Sequence, residues 1–425
     1  SRMNNPACNE DVAAFIREDG PPVIAQGAGT KAPLCRVYDG MSGLGLSGLN
    51  GIVEYEPSEY VISARAGTPL SEINQILRDN DQCLPFDPPL AKAGATLGGT
   101  VAAGLSGPGM VRYGGLRDFI IGVRFVSGEG KIVKGGGKVV KNAAGFDLPK
   151  FLAGSLGRFA VLLEITFKVF PEPEARVTLS FTSDNLAEGL GKLFQASLSK
   201  WEPEALELES DGRLFIRLAG DRSSLSSRSD EVLHALGRGV VLDEDTASAY
   251  WGNIAEFSWV RPDSTFAKVP ISARFISKLD GALEPLAVLR RYGSSGNIAW
   301  LAWSGIEKLE EIDLVLRDLE LSGLVLKGGG VNSLIGYRQE YDIQSRIKDV
   351  FMMVFLFHIW PEQVYRFSTR KLLPNKYNKH LKLSKPTIPF EIIKEKSSNI
   401  QKMDEINIIA KGPSFDLNKL KELNG

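Results

Sequence analysis

Gly94-Ala95-Thr96-Leu97-Gly98-Gly99-Thr100-Val101-Ala102-Ala103-Gly104 holds four glycines, three alanines, two threonines and no charge. A stretch so poor in side chains lets its backbone approach something closely. Glycine reaches φ > 0 cheaply and puts no Cβ in the way. Successive backbone N–H groups in such turns form an anion-binding concavity, and the Thr96 and Thr100 hydroxyls add short donors. A phosphate or pyrophosphate is the guest that suits this chemistry. A tightly packed Gly/Ala turn inside a core is the competing reading.

A second stretch points the same way. The short apolar strand Pro22-Val23-Ile24-Ala25 opens into Gln26-Gly27-Ala28-Gly29-Thr30-Lys31. Gly27, Gly29 and Ala32 match the pattern G-x-G-x-x-A formally. A Rossmann turn, however, must lead into a helix whose N-terminus meets the pyrophosphate. Here Pro33 follows at once, and Leu34-Cys35-Arg36-Val37-Tyr38 reads as another strand. The expectation is therefore a strand–loop–strand phosphate cradle, with Lys31 placed to add charge. No G-x-x-x-x-G-K-[ST] occurs, which argues against a P-loop NTPase.

Further along come Arg112-Tyr113-Gly114-Gly115-Leu116-Arg117-Asp118, Gly137-Lys138-Val139-Val140-Lys141-Asn142-Ala143-Ala144-Gly145-Phe146-Asp147-Leu148 and Phe151-Leu152-Ala153-Gly154-Ser155-Leu156-Gly157. With the two glycine loops in this order, they resemble the FAD-binding domain of the vanillyl-alcohol oxidase / para-cresol methylhydroxylase (PCMH) superfamily. Within it, the Val-Lys-Asn-x-Ala-Gly-Phe-Asp run and Leu84-Pro85-Phe86-Asp87-Pro88-Pro89 resemble most closely one branch, the FAD-binding subunits of bacterial glycolate oxidase (glycolate dehydrogenase). The resemblance runs from about residue 8 to about residue 351, specific in the first half and weak in the second.

The resemblance implies a site. Gly27, Ala28, Gly29, Thr30 and Lys31, with Gly94, Ala95, Thr96, Gly98, Gly99, Thr100 and Gly104, would hold the FAD pyrophosphate. Gly154, Ser155, Gly157 and Val161 would pass the adenine half. The family pattern there is Gly-Ser-x-Gly-Thr-Leu-Gly-Val, and Arg158, Phe159 and Ala160 replace its Thr, Leu and Gly. Lys141, Phe146 and Asp147 would sit near the cofactor, although a plain Lys141–Asp147 ion pair reads equally well. Many members attach FAD covalently through His or Cys. Residues 1–172 contain no His, and their cysteines lie outside the loops, Cys35 nearest, so noncovalent FAD is expected.

Composition sets outer bounds. A chain of 425 residues predicts two or three domains, and 43% hydrophobic with 24% charged residues is ordinary for a globular protein. A net charge of −1 supplies no long-range field for nucleic acid. Cys8, Cys35 and Cys83 are few, odd in number and without C-x-x-C, as expected of a reducing compartment without a disulfide framework. His234, His358 and His380 form no paired metal motif. The N-terminus lacks a basic and apolar signal segment. The longest apolar run, Phe351 to Trp360, falls short of the ~20 residues that span a bilayer. Cytoplasmic location, or a peripheral place at the inner membrane through partners, is the expectation.

Short strands and helices without a βαβα rhythm predict α+β rather than doubly wound α/β. The expected organisation is a two-part PCMH-type FAD-binding domain over 1–172, an α+β cap domain over 173–335, a returning helix over 336–351 and a divergent tail over 352–425. A helix is expected from Asn9, as cap, to Asp19; a glycine-rich loop over Gly40 to Gly51; and a helix starting at Pro69. In the second half, Arg176 to Thr182, Leu206 to Glu209, Leu214 to Leu218 and Ile298 to Trp303 read as strands, with helices over Leu186 to Ser197 and Ser229 to Gly237. The tail turns rich in Lys, Ile and Asn, with a basic excess of roughly six charges.

The function implied is that of an FAD-binding subunit in a complex that oxidises a 2-hydroxy acid, glycolate to glyoxylate, and passes electrons to a partner. A second flavoprotein and an iron–sulfur subunit are the implied partners. A self-sufficient FAD oxidoreductase on another alcohol or hydroxy acid, and a flavin-binding scaffold without catalysis, stay open. No catalytic residue is evident; Arg112 and Tyr113 are the candidates for substrate contact, and no metal is expected.

Overall fold

The computed structural model of the chain describes residues 3–18, 22–137, 147–328 and 332–337. The chain divides into two compact units, and every element below belongs to the first, Ser1–Lys141 with Asp147–Ile359. The returning helix and the tail expected over 336–351 and 352–425 fall almost wholly outside the described residues.

The N-terminal part is built on two sheets. The smaller is parallel, in the order Met3–Asn4, Ser42–Gly45, Val23–Gln26. The larger is antiparallel, in the order Ile52–Glu56, Val61–Arg65, Val161–Lys168, Ile120–Val126, Ile132–Gly136. The helix Asn9–Arg17 turns Val12, Ala13 and Ile16 onto a core shared with Leu44 of the small sheet, Leu46 just after it, and Val126, Val161 and Leu163 of the large one. Cys8, not Asn9, is its N-cap. Pro69 caps the helix Leu70–Arg78, whose Leu70, Ile73 and Leu77 are buried at the expected spacing.

Two local expectations change. Leu34–Tyr38 is not a strand: Ala32–Cys35 forms a 3-10 turn. Pro33 at its start suits a helical turn, since the fixed φ fits and the missing N–H belongs to a position with no partner there. The strand that pairs with Val23–Gln26 is instead Ser42–Gly45, inside the stretch read as a loop. Its glycines hide the β signal, yet Met3 and Asn5 crowd the space a Cβ would take at Gly43 and Gly45.

The second part is one nine-stranded sheet in which every paired neighbour runs antiparallel. Its order is Gly239–Val241, Ala175–Phe181, Leu214–Gly220, Ala205–Glu209, Leu289–Gly293, Ile298–Trp303, Thr265–Pro270, Ser322–Lys327, Leu334–Gly336. Side chains alternate between its faces. One face, with Leu206, Leu208, Ile216, Ala267, Leu301 and Trp303, packs under the helices Leu186–Ser197, Arg222–Leu236, Ile276–Leu283 and Lys308–Asp318. The opposite face carries Phe266, Ile298, Trp300, Ala302 and Leu326, which form one cluster with Ala103 and Leu105 of the first part. The second sheet therefore lies on the glycine-rich segment.

Candidate functional site

The stretch Gly94–Gly104 becomes a turn and a short helix. Gly94 adopts φ +85°, Thr96 is the N-cap, Leu97–Ala103 is helical, and Gly104 ends the helix at φ +62°. This helix is absent from the sequence expectation, because Gly-Gly-Thr-Val is a poor helix former and only tertiary contacts hold it. Its first amides are already engaged. Leu97 N–H donates to Thr68 O at 2.9 Å, Gly98 N–H to Ala66 O at 2.7 Å and Gly99 N–H to Thr96 Oγ1 at 3.3 Å.

The other loop differs. Among the described residues, no protein acceptor receives the backbone N–H groups of Ala28, Gly29, Thr30 and Lys31. The two loops touch: a Cβ on Gly27 would collide with Thr96 Oγ1. Between them, the turn Ala32–Cys35 and the segment 156–162 lies an open cleft, a concave site of the kind small ligands use. Gly27, Ala28, Gly29, Thr30, Lys31, Thr96, Gly98, Gly99 and Gly157 line it.

Other candidates sit elsewhere. Ala95 and Thr100 are buried, and Thr100 Oγ1 has no hydrogen-bond partner among the described residues. Gly104 and Gly154 press backbone on backbone, with a Cβ on Gly104 only 2.9 Å from Gly154 Cα. Gly154 N–H donates to Val101 O and Leu156 N–H to Ala102 O, both at 2.8 Å, so this turn and buried Ser155 brace the end of the helix. Val161 belongs to the core under the large sheet. Asp147 caps the helix Leu148–Leu152 and pairs with Lys150 at 3.1 Å. Lys141 and Phe146 lie outside the described residues. Arg112 Nη1 donates to Ala219 O at 2.9 Å, and the Tyr113 ring meets Phe170 edge-on.

Lys31 is the electrostatic feature of the cleft. It is 7% exposed, donates to Thr30 Oγ1 at 3.0 Å and meets no carboxylate among the described residues. Burial pulls its pKa down to about 8, against the opposing pull of the Cys35 thiol. Burial likewise pushes the Cys35 thiol up. A desolvated cation without a counter-ion, beside four undirected amide donors and glycines that leave room for close approach, fits a diphosphate. The residues present therefore suit FAD. Cys35, Leu34, Gln26 and Ala160 also line the cleft. Gln26 and Cys35 flank the glycine loop and were within reach of its reading; Leu34 enters only because its segment coils.

Glycine loops meet over a small parallel sheet and a larger antiparallel one, with a second sheet laid across them. Residues 4–136 match the family model described as FAD binding domain. Over 242 residues the chain is 36% identical to glycolate oxidase subunit GlcE of Escherichia coli, covering 56% of this chain and 65% of that protein. It is 30% identical to a D-lactate dehydrogenase of Anaerostipes hadrus, over 47% of this chain and 42% of that one. It is 26% identical to glycolate oxidase subunit GlcD of Bacillus subtilis, over 48% and 44%. The chain thus spans less than two thirds of each of these relatives. Alkyldihydroxyacetonephosphate synthase shares the fold, with a TM-score of 0.63 at 14% identity over 82% of this chain and 74% of that one.

Proposed function

We propose that the chain is an FAD-binding subunit of a glycolate-oxidase-type complex. In this reading it takes part in oxidising a 2-hydroxy acid to the 2-oxo acid, and electrons leave for a partner subunit. The observation that carries it is buried Lys31 without a carboxylate, set beside the free amides of Ala28 to Lys31. The likeness to GlcE and to the D-lactate dehydrogenase supports the substrate class. When bound, FAD supplies the two-electron acceptor.

The chain's own residues hold and orient. Ala28, Gly29, Thr30 and Lys31 direct N–H groups and one ammonium at the diphosphate. Gly98 and Gly99 leave their part of the cleft wall bare, and Leu156, Gly157 and Ala160 complete its lining. Attachment is noncovalent in this reading: among the described residues the cleft holds no histidine, and burial keeps its one thiol, Cys35, protonated. Among the described residues there is also no group of three or more His, Cys, Asp or Glu placed to hold a metal. No described helix is long and apolar enough to cross a membrane, and we place the complex in the cytoplasm or peripherally at the inner membrane.

The test has two arms. The purified chain is denatured and filtered; flavin should pass into the filtrate, and colour held by the polypeptide overturns noncovalent attachment. The chain alone is then given glycolate or D-lactate with an artificial electron acceptor, and the assay is repeated with the reconstituted complex. Little turnover alone and robust turnover in the complex are expected. Robust turnover by the chain alone overturns the subunit reading in favour of a self-sufficient oxidoreductase.

A further inference from the structure

A tight turn, Leu90–Gly94, delivers the chain to the short helix Leu97–Ala103 that walls the cleft. It begins and ends in the left-handed region, with Leu90 at φ +66° and Gly94 at φ +85°. Leucine seldom holds that conformation unless its surroundings impose it. Lys92 and Ala93 are exposed, so side-chain packing does little to fix the turn. Gly94 N–H donates back to Ala91 O at 3.2 Å, and Ala95 N–H to Leu90 O at 2.9 Å. Further bonds come from far along the chain. Leu90 N–H donates to Ala255 O at 2.9 Å. The N–H groups of Lys92 and Ala93 both donate to the Glu256 carboxylate, one to each oxygen, at 3.0 Å.

Ala255 and Glu256 end the helix Glu244–Glu256, in which Ile254 is the one buried residue. Aromatic and polar contacts tie this helix to the second sheet. Tyr250 stacks on Phe215 with ring centroids 3.8 Å apart, and its hydroxyl accepts from Arg291 at 2.9 Å. Trp251 Nε1 donates to Thr178 Oγ1 at 2.9 Å, and its ring lies 4.7 Å from the Arg217 guanidinium. Thr178, Phe215, Arg217 and Arg291 alternate with residues of the helix-covered core, so all four lie on the face turned to the first part. The helix therefore runs from that face to the turn.

Glu256 is poorly placed for the helix itself. A carboxylate at the last residue meets the negative end of the macrodipole. Two converging amides offset this with charge-assisted hydrogen bonds, which are stronger than neutral ones. The arrangement serves the turn, not the helix. We propose that Glu256 is a positioning residue for the cofactor. It latches the turn Leu90–Gly94 to the second sheet, holds Thr96 and the helix it caps in place at the cleft, and so slows release of FAD. The proposal rests on FAD occupying that cleft and is independent of which acid is oxidised. It makes the helix Glu244–Glu256 the link through which the second sheet steadies the cofactor.

The experiment uses the full-length chain loaded with FAD. Release is followed as the rise in flavin fluorescence on dilution, beside amide hydrogen exchange over residues 90–99 and the melting temperature of the FAD-free chain. Glu256→Ala removes both acceptors. It should speed FAD release roughly tenfold and speed exchange at Lys92 and Ala93, with the melting temperature little changed. Glu256→Gln keeps one acceptor oxygen and should fall between, with release about threefold faster than wild type. Glu244→Ala, in the first turn of the same helix, should match the wild type. Wild-type release despite faster exchange at Lys92 and Ala93 overturns the proposal, because the turn then does not act on the cofactor. Faster release with wild-type exchange overturns it too, by placing the effect elsewhere. Should Glu256→Ala not fold, Glu256→Gln decides, and wild-type release in that variant overturns the latch. A wild-type chain that takes up no FAD overturns the FAD reading and this proposal with it.

Discussion

Lys31 concentrates the argument into one ammonium. Its pKa falls from 10.5 to about 8 because burial penalises the charge, so the FAD-free folded chain binds fewer protons than the unfolded chain between those values. Stability of the free chain should therefore rise as pH climbs from about 8 to 10.5, by an upper bound of about 3 kcal/mol. A bound diphosphate reverses the preference by stabilising the charged form. FAD affinity should be flat below pH 8 and decline above it, as the free lysine loses its proton. Cys35, the neighbouring titratable group, has its pKa pushed up by burial, so its ionisation adds little in this window. Lys31→Met should weaken FAD binding and flatten that decline; isothermal titration between pH 7 and about pH 9.5 checks both. A pH-independent affinity in the wild type would place Lys31 away from the phosphates.

At the scale of elements, the site depends on a loop and a short helix meeting at one contact. Gly27 lies against Thr96, so Gly27→Ala forces a methyl group into Thr96 Oγ1 and pushes the two apart. Overpacking of this kind costs about 1–3 kcal/mol, and FAD affinity should drop with it. Gly99 differs. It lies within the helix, outside the positive-φ glycines, and a Cβ there meets only Thr96 Oγ1, at 3.1 Å. Gly99→Val should thus leave the fold intact while its methyl groups crowd the cleft. Circular dichroism unchanged beside lost FAD binding is the expected result. Normal FAD affinity would mean that this helix packs the cleft wall without touching the cofactor.

Across the molecule, one charged chain fastens the second sheet to the first part. Asp87, from the segment Leu84–Pro89, meets Arg217, which meets Glu204, which meets Arg176, which meets Glu172. Glu204 is 1% exposed, so losing a partner strands its charge. Arg217→Met should destabilise the chain by about 3–5 kcal/mol, measured by denaturant unfolding. A change under ~1 kcal/mol would show that apolar packing between Ala103, Leu105, Phe266 and Trp300 suffices to hold the sheet.

The glycine loops, the strand Val23–Gln26, the helix Leu70–Arg78 and the hairpin over Ile120–Val126 and Ile132–Gly136 were legible because local rules decide them. Turn glycines, apolar spacing and alternation act over a few residues. The likeness of motifs then extended that reading to an FAD-binding domain. Other features were not local. Ser42–Gly45 is a strand because Val23–Gln26 and Met3–Asn4 flank it, not because Ser-Gly-Leu-Gly favours β structure. The strands Leu289–Gly293 and Thr265–Pro270, unmarked in the sequence reading, take their places from neighbours far along the chain. Which loop keeps free amides, and that Lys31 is a cation without a carboxylate, follows from what folds around them. A sequence shows that a lysine exists; only the tertiary structure decides how much water it loses and which charges come near.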